Sequence, residues 1–260
     1  MTLPSLIGMV HLQPLPGSPR FDDDFDSVLT QTVTDANTLL DAGFPALMIE
    51  NFGDAPFYAT SVPPVTVAAL TRVTRVVIEA TAMPIGVNVL RNDAISALAI
   101  AAATGAAWIR VNVLSGLMYT DQGPVVGQAA EIARVRQHWC PEVQIMADVM
   151  VKHASPPPGL TIEQAGLDTW ERAGADALIV SGAGTGIAPE LDDGRRLRKS
   201  LPHAQIFVGS GATPANLGEL ASFADGVIVG SALKRDGNAA NPVDSQLSAS
   251  FRRAAAGVGW

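Results

Sequence analysis

The chain carries two similar segments near its C-terminus, Gln205-Ile-Phe-Val-Gly-Ser-Gly211 and Asp225-Gly-Val-Ile-Val-Gly-Ser-Ala-Leu-Lys234. Each segment runs through apolar residues into Gly-Ser. A short apolar run that ends at glycine is typical of a parallel strand buried on both faces. The two segments therefore predict two adjacent parallel strands, each followed by a tight loop.

These two loops predict a phosphate site. In a (β/α)8 barrel, the loops after strands seven and eight frequently hold a phosphate group. Glycine lets the backbone approach an anion closely, so that the amide groups after it can converge on the anion. The residues of this predicted site are Gly209, Ser210, Gly211, Gly230 and Ser231. The plain alternative is that Gly209 and Gly230 only make tight turns.

The rest of the chain repeats the same pattern. Apolar, strand-like segments alternate with helical segments at intervals of about 20–40 residues. The predicted strands are residues 6–11, 46–51, 85–89, 107–112, 144–148, 177–181, 205–209 and 226–229. The predicted helices are residues 26–42, 64–80, 93–104, 124–139, 161–173, 190–200, 214–221 and 243–255. Pro64, Pro124 and Pro214 begin three of these helices, because the first turn of a helix tolerates proline.

Eight strands and eight helices in 260 residues match one TIM barrel, so a single (β/α)8 domain is predicted over residues 1–260. An open, doubly wound sheet is the alternative, because strand order cannot be determined from one sequence. Hydrophobic residues make up 48% of the chain and charged residues 16%, which suits one large apolar core.

Composition also limits the partners and the location. Seventeen basic and 25 acidic residues give a net charge of −8 without a basic cluster, so nucleic acid is not expected as a partner. The apolar-rich stretch 94–114 contains Thr104 and Arg110 and divides into a helix and a strand, so no transmembrane segment is predicted. No signal peptide is predicted either. The single cysteine, Cys140, cannot form an internal disulfide, which fits a cytoplasmic protein.

Polar side chains follow most of the predicted strands. Barrel enzymes take their catalytic residues from the carboxyl ends of the strands, so these side chains are expected to ring one mouth of the barrel. They are His11, Glu50, Asn51, Asn88, Asn112, Asp148, Ser181 and Ser210. We expect Asn88 and Asn112 to contact the substrate.

Two carboxylates emerge from apolar strands, Glu50 after Ala-Leu-Met-Ile and Asp148 after Ile-Met-Ala. A partly dry pocket can raise a carboxyl pKa toward neutrality, and such a group acts as a general acid or base. Glu50 and Asp148 are therefore predicted to divide these roles, or to share a divalent cation. The structural alternative is a carboxylate tied to a neighbouring cation or backbone amide.

Three further candidates are His11, Lys152 and His153. His11 ends the first strand and can shuttle protons, although a histidine there is equally often structural. Lys152 and His153 follow Asp148 on the loop after the fifth strand. Asp148, Lys152 and His153 are predicted to supply an acid, an electrophile and a second base, and His153 is also expected to contact the substrate. The alternative for Lys152 is a loop lysine that is solvated or binds an anion. Schiff-base chemistry at Lys152 is disfavoured, because such lysines usually project from the strand itself.

Two loops complete the predicted site. The glycine spacing in Ser181-Gly-Ala-Gly-Thr-Gly186 is not that of a dinucleotide fingerprint, so no nicotinamide or flavin is expected. This loop is interpreted as a lid or a wall of the anion site, with Ser181 and Gly182 at the ligand. The long loop 115–123 is predicted to contact the substrate through Asp121. No zinc pattern is present.

The chain resembles the BtpA/SgcQ family over roughly residues 5–235. The runs that carry the resemblance are His11-Leu-Gln-Pro-Leu-Pro-Gly-Ser-Pro19, Glu50-Asn-Phe-Gly-Asp-Ala-Pro-Phe57, Gly86-Val-Asn-Val-Leu-Arg-Asn-Asp93, Thr120-Asp-Gln-Gly123, Asp148-Val-Met-Val-Lys-His153 and Ser181-Gly-Ala-Gly-Thr-Gly186. The resemblance implies a ribulose-phosphate-binding type of barrel. It also implies either a role in accumulation of photosystem I or a link to sugar utilisation, and neither specifies a reaction.

The polar mouth favours an enzyme. The hypothesis is a lyase, isomerase or hydrolase that acts on a phosphorylated sugar or sugar-like metabolite, with Glu50 and Asp148 moving protons. One alternative is a BtpA-like biogenesis factor for a membrane complex, working as a scaffold without catalysis. Another is a ligand-sensing barrel that binds without turnover. Self-association through the outer helices is a further expectation.

Overall fold

The computed structural model describes residues 2–182, 186 and 190–260. Within these residues eleven strands are present: β1 Leu6–His11, β2 Leu47–Glu50, β3 Ile85–Asn88, β4 Trp108–Val111, β5 Leu117–Thr120, β6 Gly123–Val126, β7 Gln144–Val149, β8 Ala154–Ser155, β9 Ala177–Val180, β10 Ile206–Val208 and β11 Gly226–Val229. Eight of them form a closed parallel barrel in the order β1-β2-β3-β4-β7-β9-β10-β11, and β11 pairs back to β1. The predicted TIM barrel and its eight strands are confirmed.

Helices connect the barrel strands. In the described residues they are α1 Phe25–Asp41, α2 Pro64–Thr81, α3 Ala94–Thr104, α4 Ala129–Trp139, α5 Ile162–Leu167, α6 Leu191–Ser200, α7 Leu217–Leu220 and α8 Ser245–Gly257. Aspartates cap three of them: Asp24, Asp93 and Asp244 each accept a hydrogen bond from a backbone N–H of the first turn. None of the helices described is long and apolar enough to cross a bilayer.

Two of the proline-based helix starts are wrong, whereas Pro64 does lie in the first turn of α2. Pro214 lies in a turn, and α7 begins only at Leu217. Pro124 lies in β6, which pairs antiparallel with β5. The predicted loop 115–123 is therefore largely a hairpin, whose Met118 and Val125 are buried in a small apolar cluster. The sequence signal for this hairpin is a pair of short segments with β-forming residues, Leu117–Thr120 and Gly123–Val126, that flank a two-residue turn.

The barrel interior is filled by one apolar layer below a polar one. Side chains alternate across a strand, so every second residue points inward. The inward apolar residues include Ile7, Met9, Met48, Trp108, Met146, Ile179, Phe207 and Ile228. Two positions further along these strands lie His11, Glu50, Arg110, Asp148 and Ser181. The same alternation that packs the core therefore turns these polar side chains toward the barrel axis.

Candidate active site

Pairing between strands brings the predicted polar residues side by side. His11 is paired in register with Glu50, Glu50 with Asn88, and Asn88 with Arg110. Asp148 lies on the far side of Arg110, on β7. Each of these strands contributes a side chain at its carboxyl end, where barrel enzymes place their chemistry. His11, Glu50, Asn88 and Arg110 therefore lie side by side at one end of the barrel.

Asp148 is the centre of a buried hydrogen-bond network. It is 4% exposed and receives the Nε and Nη2 of Arg110 at 2.9 and 2.8 Å. Asn112 Nδ2 donates to it at 2.9 Å and Ser181 Oγ at 3.1 Å. A carboxylate that accepts a bidentate arginine and two further donors has its acceptor positions filled. Asp148 is thus held in place by Arg110, Asn112 and Ser181.

Arg110 is a site residue that the sequence reasoning did not assign. It is 2% exposed and stands in the otherwise apolar strand Trp108-Ile-Arg-Val111. Arginine is almost never fully buried unless it is paired. An arginine at an inward position of an apolar strand was the available signal, since it requires a buried carboxylate nearby.

Glu50 has a different environment from Asp148. It is 2% exposed and accepts one hydrogen bond, from Asn88 Nδ2 to Oε2 at 2.6 Å. His11 Nε2 lies 3.7 Å from Oε1. No lysine or arginine among the described residues forms an ion pair with Glu50 within 4.0 Å. This carboxylate therefore keeps an acceptor position that Asp148 lacks.

His11 is enclosed between Glu50 and the neighbouring loops. Its ring centroid lies 4.7 Å from that of Phe52. Burial lowers the pKa of His11 well below 6.5, and the charges of Lys234 and Lys152 lower it further. The imidazole is therefore neutral near pH 7, which suits hydrogen bonding or proton acceptance rather than fixed positive charge.

Lys152 and His153 lie on the loop after β7 with different exposure. Burial lowers the pKa of Lys152, although the negative charge of Glu50 opposes this shift. Lys152 lines the same cavity as Glu50 and His11. His153 is exposed overall, and partial loss of solvent around its ring, followed by the charge of Lys152, lowers its pKa. Asp121 is exposed at the tip of the β5–β6 hairpin, where its charge acts on His153.

The two Gly-Ser loops lie next to each other after β10 and β11, the seventh and eighth barrel strands. Within the described chain, the backbone N–H groups of Gly211, Ala212, Gly230 and Ser231 donate to no other backbone or side-chain group. All four residues line the cavity that contains Glu50. Unpaired amides that face a cavity can bind an anion.

The glycines at the strand ends serve a second purpose. A Cβ atom on Gly209 would lie 3.1 Å from both Arg110 Nη2 and Ser181 Oγ. A Cβ atom on Gly230 would lie 2.7 Å from His11 Cε1. Neither glycine has a positive φ, whereas Gly211 has φ of +70°. The tightest contact of a Cβ on Gly209 would be with Ile179 Cγ2. Gly209 therefore makes space for Ile179 and Arg110, and Gly230 makes space for His11, which simple tight turns do not explain.

The cavity between these groups is small, with a volume of about 20 Å³. Ser210 is 6% exposed on its wall, and its Oγ accepts a hydrogen bond from the Gly186 N–H at 3.2 Å. Gly182 is buried beside Ser181. The predicted lid 181–186 lies partly outside the described residues, which omit 183–185.

Asn51 does not join the ring. Its Oδ1 accepts from the Leu90 N–H at 2.7 Å, and its Nδ2 donates to Asp54 at 3.0 Å. It lines a separate, larger cavity of about 500 Å³ together with Tyr58. The larger cavity shares no lining residue with the smaller one, which contains Glu50, His11 and Lys152. The smaller cavity is therefore the candidate active site, although it is not the larger of the two.

The described residues contain no group of three or more His, Cys, Asp or Glu side chains placed to hold a metal ion. The hypothesis that Glu50 and Asp148 share a divalent cation also meets a local obstacle. Both Asp148 oxygens already accept hydrogen bonds from Arg110. A cation at Asp148 would have to displace that arginine.

Lys234, a second unassigned residue, is 1% exposed, and its Nζ donates to the Ala239 carbonyl at 2.9 Å. Burial lowers its pKa to about 8 from 10.5, while Asp35 and Glu50 oppose the shift. Between these two values the unfolded chain binds more protons than the folded one, so this lysine makes stability rise with pH.

We expect the free energy of unfolding of the wild type, relative to Lys234→Met, to increase by roughly 2–3 kcal/mol from pH 7 to pH 10. Urea denaturation at both pH values measures this difference. Lys199→Met removes an exposed lysine and is the control, with no such change. Parallel pH dependence of the wild type and Lys234→Met would contradict the assignment.

A closed parallel barrel with polar side chains at the carboxyl ends of its strands defines this chain as a (β/α)8 barrel protein with an enzyme-like mouth. The model of the BtpA family matches residues 2–257. The chain therefore belongs to the BtpA family, and the resemblance seen in its sequence is confirmed.

Two relatives and one solved structure illustrate the similarity. An uncharacterized protein of Thermococcus kodakarensis, TK2179, is 50% identical over 240 residues, which cover 92% of this chain and 90% of that protein. Photosystem I biogenesis protein BtpA of Synechocystis is 43% identical over 96% of this chain and 88% of its own length. Orotidine 5'-phosphate decarboxylase from Pyrococcus horikoshii matches with a TM-score of 0.58 at 13% identity, covering 96% of this chain and 99% of the other. At that identity the match shows the fold alone.

Proposed function

We propose that the protein is an enzyme that moves a proton on a phosphorylated sugar or a similar small metabolite. One observation carries the proposal: the unpaired amides of Gly211, Ala212, Gly230 and Ser231 line the same small cavity as Glu50. Amides suit a phosphate group, and a buried carboxylate with an open acceptor position suits proton transfer.

The contacts support different roles for the two carboxylates. Glu50 is the general base, because it alone of the two faces the cavity with an acceptor position not filled by a cation. Asp148 is a positioning residue, since four donors hold it in place. His11, neutral and 3.7 Å from Glu50, can exchange a proton with it.

The reaction that fits these groups is proton abstraction from a carbon next to a carbonyl. Glu50 takes the proton, the electron pair of the C–H bond moves toward the carbonyl oxygen, and the Lys152 ammonium stabilises the charge that develops there. Return of the proton to the neighbouring atom gives an isomerase, and cleavage of an adjacent bond gives a lyase. Both fit the groups present better than hydrolysis, for which the described residues supply no assigned water-activating group.

The main alternative is an assembly factor, favoured by the name of the Synechocystis relative. Such a protein needs a partner surface and no ligand in the barrel. The buried ring of Glu50, Arg110 and Asp148 is costly to maintain for that role, because burying charges rarely adds stability. A sensor without turnover would share the ligand site and differ only in lacking catalysis.

Thermal unfolding against phosphosugars, nucleotides, inorganic phosphate and divalent cations tests the ligand class. We expect one phosphosugar class to raise the melting temperature by about 5–10 °C at a hundredfold excess over Kd. Ser231→Asp and Ser210→Asp place a negative charge at the amides and are expected to abolish this rise. Ser200→Asp adds the same charge on an exposed part of α6 and is the control.

Absence of saturable stabilisation by every phosphorylated compound would contradict the proposal and favour an assembly factor. Stabilisation that survives Ser231→Asp and Ser210→Asp would move the phosphate site away from these loops.

A further inference from the structure

Two cations lie across the mouth from the phosphate loops. Arg91 follows β3, and β3 lies four strands from β10 in either direction around the closed barrel of eight. The Arg91 Nη2 donates to the Lys152 carbonyl at 2.6 Å, so the loop after β7 is drawn toward β3. The Arg91 guanidinium therefore lies beside the backbone of Lys152, and Lys152 lines the cavity that contains the unpaired amides of the Gly-Ser loops.

These cations have no bound counter-charge in the part of the chain described. Arg91 is 5% exposed, yet no carboxylate lies within 4.0 Å of it or of Lys152. Glu50 and Asp148 act on both only at longer range, and Asp121, on the exposed hairpin tip, acts on Arg91. Asp148 is already committed to Arg110. A buried arginine without an ion pair is unfavourable, so an anionic ligand group would relieve a cost already present.

We propose that the substrate carries a carboxylate at the end opposite its phosphate, and that Arg91 binds this carboxylate. The inference rests on the proposed function, because it needs the phosphate to lie at the Gly-Ser loops. The guanidinium presents a planar fork that matches a carboxylate. Such a substrate has a phosphate at one end and a carboxylate at the other. Phosphorylated sugar acids and phosphorylated oxo acids have this form.

Calorimetric titration with two matched probes tests the proposal. sn-Glycerol 3-phosphate and 3-phosphoglycerate have the same three-carbon chain and phosphate, but only the second has a carboxylate. We expect 3-phosphoglycerate to bind at least about tenfold more tightly to the wild type, as a charge-assisted, bidentate contact predicts. Arg91→Gln keeps an N–H donor for the Lys152 carbonyl but removes the charge. In that variant both probes should bind with the affinity that glycerol phosphate has for the wild type.

Two further variants separate position from general charge. Arg253→Met removes an exposed charge on α8 and should leave both affinities unchanged. Lys152→Met should weaken both probes, because Lys152 lines the cavity itself. Equal affinity of the wild type for both probes would overturn the carboxylate while leaving the phosphate site intact. A tenfold preference that persists in Arg91→Gln would overturn the assignment of Arg91. Binding of neither probe would overturn both this inference and the proposed phosphate site.

Discussion

Arg110→Met is expected to lower the free energy of unfolding by about 3–5 kcal/mol, because it removes one partner of a buried ion pair. Asp148 would then stay 4% exposed with donors only from Asn112 and Ser181. The methionine side chain fills much of the space but cannot neutralise the negative charge of the Asp148 carboxylate. Urea denaturation followed by circular dichroism measures the loss.

A matched surface pair shows that the effect depends on burial. Arg136 forms an ion pair with Asp176, and their side chains are 24% and 34% exposed. Arg136→Met is therefore expected to cost no more than about 1 kcal/mol. The double variant Arg110→Met with Asp148→Leu should regain much of the loss, since no uncompensated charge remains. A cost below about 1 kcal/mol for Arg110→Met alone would show that Asp148 is not fixed by this arginine.

Glu50→Gln is expected to reduce turnover by about 10²–10⁴-fold on any substrate that the ligand panel reveals. Glutamine has nearly the same shape, and its carbonyl oxygen can still accept the hydrogen bond from Asn88, so ligand binding and folding should be retained. The loss should therefore appear in kcat far more than in KM. Steady-state kinetics, with calorimetric titration of the same variant, measure both quantities.

Glu163→Gln is the control for this experiment. Glu163 pairs with Arg196, and side-chain exposures of 31% and 45% place this pair on the surface. The same chemical change there should leave turnover unaltered. If Glu50→Gln keeps wild-type kcat while Asp148→Asn loses it, the roles of the two carboxylates are reversed.

The sequence was sufficient for the barrel because each strand is a short apolar run bounded by glycine or polar residues. It was insufficient for the roles of the carboxylates. Glu50 and Asp148 both follow apolar residues, and each has a partner 38 residues away along the chain, Asn88 or Arg110. Only barrel closure decides which partner reaches which carboxylate. Local sequence carries no signal for that pairing.

The glycines show a similar limit. Gly209 and Gly230 were predicted from the need for an anion to approach the backbone. Their positions also depend on the side chains of Arg110 and His11, which come from distant strands. The hairpin was not predicted for a local reason, because Pro124 is compatible with a helix start as well as with the edge strand that it occupies. Lys234 was missed because nothing in its neighbourhood indicates burial.

The apolar layer beneath the polar ring determines the path by which a ligand reaches the cavity. Trp108, Phe207 and Met48 are at most 1% exposed. The Trp108 indole fills the space in which a side chain at Gly86 would lie. The barrel interior is consequently closed at the amino-terminal ends of its strands. Any ligand of the cavity must therefore enter and leave at the carboxyl ends of the strands. Under the proposed function, product must leave through the opening by which substrate enters, and we then expect product release to limit the rate of turnover.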